Sequence, residues 1–285
     1  MKKLFIGLFT VMLAVSFIAC KPSSGTDGDQ NPAPTYIGTK APTEAKAVGD
    51  IVFNDGSATP YTSGMTFTDA QKNAAIALIF YKGTGLNSDV NGVADTTTSR
   101  TLGVGLKHKT TDRWCSEDAN AHSVNIDTIQ CPASGSNGTY TFTGDKNGSD
   151  NLEQIGIFLT NNSSTDDTST AANYPAFYFG KNYKGESGSN VSGTVYESGW
   201  YLPRIAELFQ IYVNGMGTNK VFDIGAASEA LGGDTFTTQN FGAFWSSSQL
   251  SSTATKAYFI LINDGMCGDY QKSHQFEAVC CIREF

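Results

Sequence analysis

Histidine is nearly missing from this chain. His108, His122 and His274 are the only three in 285 residues, and they stand too far apart for a His-x-x-x-His spacing. No Cys-x-x-Cys occurs either, so zinc has no support and no cofactor is expected. Charge is also scarce, at 16% of residues, with 19 Lys and Arg against 27 acids and a net charge of −8 at pH 7. Without a basic patch, nucleic acid is not an expected partner. No Gly-x-Ser-x-Gly, phosphate loop or dinucleotide fingerprint is present. What remains is a Gly-, Ser-, Thr- and Asn-rich chain long enough for one large or two small domains. That composition suits a loop-rich β or α+β fold better than a helical one.

The N-terminus carries a positive Lys2-Lys3 followed by an apolar stretch at residues 4–18, too short to span a bilayer with margin. It ends in Phe17-Ile18-Ala19-Cys20, which resembles the lipobox of bacterial lipoproteins, with Phe17 where Leu is commoner. The resemblance implies a signal peptide at 1–19 and acylation of Cys20. Several acyl chains on one Cys would hold the protein stably to a membrane, expected to be the bacterial outer membrane at the cell surface. Residues 20–48 hold Pro22, Pro32, Pro34 and Pro42 among small polar residues and are expected to be a flexible tether. The domain is expected at 49–285.

Gly49-Asp50-Ile51-Val52-Phe53 reads as a strand before an Asn-Asp-Gly turn. Thr68-Asp69-Ala70-Gln71 is a capping-box pattern opening a short helix. Ile76 to Tyr81 and Leu102 to Leu106 read as strands, with weaker strand candidates at 155–159 and 177–179. The clearest helix follows Pro203, with Ile205, Leu208, Phe209 and Tyr212 on one apolar face destined for the core. A second short helix is expected at 224–231, ended by Gly232-Gly233.

The last stretch, residues 244–285, differs in kind. Tyr258-Phe259-Ile260-Leu261-Ile262 is apolar throughout and precedes an Asn-Asp-Gly turn. It is either a strand buried on both faces or one that keeps Tyr258, Ile260 and Ile262 inside and points Phe259 and Leu261 outward. After the turn, Met266 to Phe276 shows neither period 2 nor period 3.6 and reads as an irregular loop. Ala278 to Ile282 reads as a closing strand.

Gly199-Trp200-Tyr201-Leu202-Pro203-x-x-x-Glu207-Leu208, Phe244-Trp245-Ser246-Ser247-Ser248-Gln249, Ala257-Tyr258 and the terminal Ile282-Arg283-Glu284-Phe285 together resemble one family. It is the branch of the C-type lectin fold related to formylglycine-generating enzyme. More closely, the chain resembles spirochaete lipoproteins that serve as variable proteins of diversity-generating retroelements. In those systems adenine-directed mutagenesis rewrites the 3′ end of the gene. The resemblance implies an α+β C-type lectin-like fold with long loop insertions. It also implies a binding surface for a macromolecule, a protein or a glycan. The contact set it implies is Leu250, Thr253, Thr255, Phe259, Leu261, Asp264, Met266, Asp269, Tyr270, Gln271, His274 and Phe276. Tyr and Phe suit such a role as large, rigid contact groups.

Two other readings stand beside this one. One is an envelope lipoprotein with no dedicated ligand. The other is an oxidase like the formylglycine-generating relatives, which use a pair of cysteines. Cys280 and Cys281 adjoin on a presumed strand and would point to opposite faces, so no enzyme is expected. Cys115 and Cys131 either close a loop as a disulfide or stay reduced. The Glu-Pro-Asn, Gln-Pro-Asp and Trp-Asn-Asp motifs of calcium-dependent lectins are absent, so the fold alone implies no sugar.

Overall fold

Apolar runs too long for a one-sided strand dictate the centre of the molecule. Ala75–Gly83, the longest strand, is buried over its first six residues, as expected of a strand covered on both faces. The computed structural model describes residues 35–87, 95–166, 168, 170–237 and 242–285. The expected lipidation site at Cys20 and the expected signal at 1–19 lie outside the described residues.

In chain order the elements are β1 (Asp50–Phe53), β2 (Ala58–Pro60), α1 (Asp69–Lys72), β3 (Ala75–Gly83) and β4 (Arg100–Gly105). They continue with β5 (Ala133–Ser134), β6 (Thr141–Phe142), α2 (Asn151–Asn161), α3 (Pro175–Lys181), α4 (Ile205–Gly215) and α5 (Ile224–Ala230). The last are β7 (Ala243–Gln249), β8 (Lys256–Leu261), β9 (Met266–Gln271) and β10 (Ile282–Glu284). Helix and antiparallel sheet together make an α+β fold. A five-stranded sheet runs β10-β4-β3-β1-β2, and a separate three-stranded sheet runs β7-β8-β9. Among the described residues no helix is long and apolar enough to cross a membrane.

The five-stranded sheet divides the core in two. Ile51, Phe53, Leu78, Phe80, Leu102, Val104 and Ile282 face α4 and α5; Ile205, Leu208 and Phe209 of α4 and Ile224 and Ala227 of α5 complete one apolar cluster. Val52, Ile76 and Ile79 face the other way, into a cluster built around Trp114, Tyr174, Tyr183, Trp200 and Trp245. Cys280 enters the first cluster and Cys281 the second, both fully buried. Cys115 and Cys131 likewise lie in different clusters with free thiols, so they form no disulfide.

Three expectations are corrected. Residues 155–159 and 177–179 are helical, within α2 and α3. In α2, Ile155 and Leu159 are buried one turn apart while their neighbours face outward, which is the helical spacing. The expected closing strand at 278–282 pairs as a regular strand only from Ile282 onward. The compact unit also starts earlier than residue 49, at Tyr36. The part of the expected tether from 36 to 48 is held down: Thr39 and Lys40 donate backbone bonds to the Ala58 carbonyl, and Lys40 Nζ lies 2.6 Å from Asp50 Oδ2. Backbone pairing onto β2 and one ion pair order a stretch whose side chains have little to bury.

Buried charge fixes the start of α4. Glu207 Oε2 accepts from the Arg204 and Gly148 backbone N–H groups at 2.8 and 3.1 Å. Its Oε1 accepts from Arg100 Nη1 and from the Tyr201 hydroxyl, each at 2.9 Å. Arg204, with no exposed surface, donates to the Gln130, Asp145 and Thr128 carbonyls and to the Asn151 and Asp145 side chains.

Candidate functional site

β7 is the support on which the site is laid. All seven of its residues are buried, and its polar side chains are occupied. Ser246 Oγ donates to the Tyr258 carbonyl, Ser247 Oγ accepts from Asn151, and Ser248 Oγ accepts from the Ile205 N–H. Gln249 bonds the 124–126 loop and the Ala254 carbonyl. Trp245 Nε1 donates to the Asp112 carbonyl. The Phe-Trp-Ser-Ser-Ser-Gln stretch is therefore a seam between elements.

β8 pairs with β7 on one side and β9 on the other. Trp245 stands opposite Phe259 and Ala243 opposite Leu261, while Phe259 faces Gly268, Leu261 faces Met266 and Ala257 faces Tyr270. Side chains alternate along a strand, so Tyr258, Ile260 and Ile262 enter the first core cluster while Phe259 and Leu261 stay partly exposed on the other face. Phe259 also packs against the second core cluster, in which Ala257 is wholly buried, so the run lies between the two readings: covered on both faces at its start and partly open at Leu261.

The irregular loop expected after the turn is corrected: Met266–Gln271 is a strand in full register with β8. Its alternation is hidden because Met266, Gly268 and Tyr270 share the open face while Cys267, Asp269 and Gln271 share the other. Two glycines make this possible. Gly268 leaves room for the Phe259 ring, whose Cζ would lie 2.4 Å from an added Cβ. Gly265 turns the hairpin at φ +67°, with Tyr212 Cε1 only 2.5 Å from where a Cβ would stand. Gly265→Ala is expected to lower stability by about 1–3 kcal/mol. Urea unfolding reads this directly, and an unchanged midpoint would refute it.

Beyond β9 the chain folds back as an arm. Lys272 is wholly buried, its Nζ 2.7 Å from the Ala121 carbonyl and 4.7 Å above the Trp114 ring. Burial pushes its ammonium down to about 8. Ala278 then joins the free edge of β7, donating to the Ala243 carbonyl and accepting from the Trp245 N–H. Between this arm and the sheet lies a shallow cavity of about 430 Å³ lined by Ala243, Phe259, Leu261, Tyr270, His274, Phe276 and Glu277. Tyr270 is 46% and Phe276 40% exposed, large apolar areas for side chains with a free choice of burial. The Tyr270 and His274 rings are 4.3 Å apart at their centroids, and His274 and Phe276 5.8 Å.

Five of the expected contact residues, Phe259, Leu261, Tyr270, His274 and Phe276, thus line one cavity. Met266 sits on the same face, opposite Leu261. The others lie elsewhere. Asp269 is on the opposite face and pairs with Lys256 at 2.7 Å, and Gln271 follows it at the strand end. Asp264 caps the turn by accepting from the Met266 N–H. Leu250 packs against the first core cluster. Thr253 and Thr255 lie in the β7–β8 connection, where their carbonyls accept from Lys256 and Lys272.

Glu277 was missed by sequence reasoning. It is 3% exposed, with its carboxylate 3.3 Å from His274 Nδ1. Burial pushes it above the usual carboxylate range, while His274 pulls it back down. Its signal in the sequence was an acid placed directly before the fully apolar Ala278-Val279-Cys280-Cys281-Ile282. The cysteines have little chemistry to offer: burial raises Cys280 to about 12 and Cys281 well above its ordinary value, so thiolate is scarce. Among the described residues no cluster of three His, Cys, Asp or Glu could hold a metal.

No protein-family model matches the chain, and no curated protein matches it in sequence. Among solved structures it is similar to a fimbrial protein from Bacteroides ovatus ATCC 8483, with a TM-score of 0.53 and 14% identity over 84% of this chain and 49% of that one. The chain spans about half the length of that protein, and the likeness is one of fold.

Proposed function

We propose that this chain is a surface-displayed, lipid-anchored protein whose C-terminal hairpin and arm form a diversified contact surface for a macromolecule. The scaffold is then a C-type lectin-like domain of the formylglycine-generating type, used for binding and not for catalysis. One observation carries the reading: Phe259, Leu261, Tyr270, His274 and Phe276, chosen from sequence as contact residues, line a single open cavity. Their neighbours Tyr258, Ile260 and Ile262 are committed to the core. A surface of this build can change its side chains without disturbing the fold. The fold likeness to a fimbrial protein is in keeping with surface display, and the Phe17-Ile18-Ala19-Cys20 lipobox supplies the anchor.

The DNA downstream of the gene tests this. A near-repeat of codons 244–285 is expected, with differences almost only at adenines. Those differences should fall on the codons of Phe259, Leu261, Met266, Tyr270, His274 and Phe276 and spare Tyr258, Ile260 and Ile262. A downstream region without such a repeat, or differences spread evenly over inner and outer codons, would refute diversification.

A further inference from the structure

The cavity is not uniformly apolar. Its walls are the rings of Phe259, Tyr270 and Phe276 and the side chain of Leu261, and Glu277 also lines it. That carboxylate is nearly wholly buried, with His274 Nδ1 at 3.3 Å from one oxygen. Aromatic rings around a desolvated acid attract cations twice, through their electron-rich faces and through the carboxylate. The chain as a whole carries −8 at pH 7, so an approaching cation is drawn to it at long range as well. A guanidinium prefers a two-bond fork on a carboxylate, and here one oxygen is already engaged by His274. An ammonium is a point charge and needs only one. A four-carbon stem would cover Leu261 and Phe259 while its head meets Glu277.

We infer that this cavity receives the side chain of a lysine presented by a partner protein, with Phe259, Tyr270 and Phe276 around the stem and Glu277 at the ammonium. This inference rests on the proposal that the hairpin and arm are a contact surface. It deepens that proposal by giving the partner's anchor a chemistry.

The intact chain can be titrated with N-acetyl-lysine amide, N-acetyl-norleucine amide and N-acetyl-arginine amide while the aromatic proton resonances of Tyr270 and His274 are followed. The lysine probe is expected to bind about tenfold more tightly than its norleucine counterpart, the effect of a partly desolvated cation site. Glu277→Gln should erase that preference, and Tyr270→Ser should weaken both probes. Equal affinity for lysine and norleucine overturns the inference while leaving an apolar contact surface intact. A lysine preference that survives Glu277→Gln overturns it as well, as does tighter binding of the arginine probe. Shifts of the same resonances on concentrating the protein alone would seat a second copy in the cavity and also overturn it. Should Glu277→Gln fail to fold, the lysine-to-norleucine ratio on the unaltered chain still decides. The downstream DNA repeat tests the contact surface separately, so the two failures are distinguishable.

Discussion

Glu207→Ala is expected to lower the free energy of unfolding by about 3–5 kcal/mol, because it breaks a buried ion pair from one side. The loss is not confined to the Arg100 contact. Arg100, 2% exposed, would keep its charge with the solvent-facing Glu284 at 3.3 Å left to oppose it among the described residues. The Arg204 and Gly148 N–H groups would each lose their carboxylate acceptor, and an unpaired buried donor costs about 1–3 kcal/mol. Burial pushes the Glu207 carboxyl up and Arg100 pulls it back down, so the acid depends on its partner. The double replacement Arg100→Met with Glu207→Leu should recover much of the loss, since apolar substitutes remove both desolvation penalties. Urea midpoints by circular dichroism give the comparison. If the single variant unfolded at the wild-type midpoint, the network would be ornamental.

Alkali should unfold this chain between about pH 10 and pH 12. An exposed thiol ionises near pH 8.5. Burial raises Cys115, Cys131 and Cys280 to about 12 and Cys281 higher still, and all four have no exposed surface. Above the ordinary thiol value the unfolded chain gives up these protons and the folded chain keeps them. The stability they lend is complete below about pH 8.5 and drains as pH rises toward 12. Lys272 acts in the opposite sense: lowered to about 8, it favours the folded state as pH climbs toward its ordinary 10.5. Four groups outweigh one, and the net slope is about 4 kcal/mol per pH unit. A domain holding 5 to 15 kcal/mol, roughly the usual range, is exhausted within one to a few units. Urea midpoints in reducing buffer at pH 7, 8.5 and 9.5 measure the slope. Cys280→Ala should flatten it by about a third. A flat profile for the unaltered chain would mean that the thiols are not sealed from water.

These effects explain which parts of the molecule were legible beforehand. Strands β1, β3 and β4 and helix α4 announce themselves because burial on both faces or on one stripe leaves an unbroken or periodic apolar pattern. The capping box at Thr68 was readable because Thr68 and Gln71 serve each other at the range of one turn, as the backbone does. Helix α3 was misread because Phe177 and Phe179 are both buried with Tyr178 between them half-exposed, a two-residue alternation inside a helix. Strand β9 was misread for the opposite reason. Its hydrogen bonds to β8 depend on backbone alone, and an acid and an amide sit on the face away from the cavity, partly open to solvent, with Lys256 across from them. At the site, the open face of β8 was legible from alternation. Glu277 was not, because nothing local to it tells that the arm folds back along the free edge of β7.

The order of the five-stranded sheet has a consequence for how the molecule comes together. β4 lies between β3 and β10, with Val104 paired to Ile282. Until the far end of the chain arrives, the hairpin of β3 and β4 keeps one side open, a row of unmet N–H and C=O groups beside an almost wholly apolar strand. During refolding that edge is a template for a neighbouring molecule, and closing it from within must wait for a contact very distant in sequence. The yield of native protein should therefore fall steeply with chain concentration, a race between self-closure and misassembly that is settled at β4.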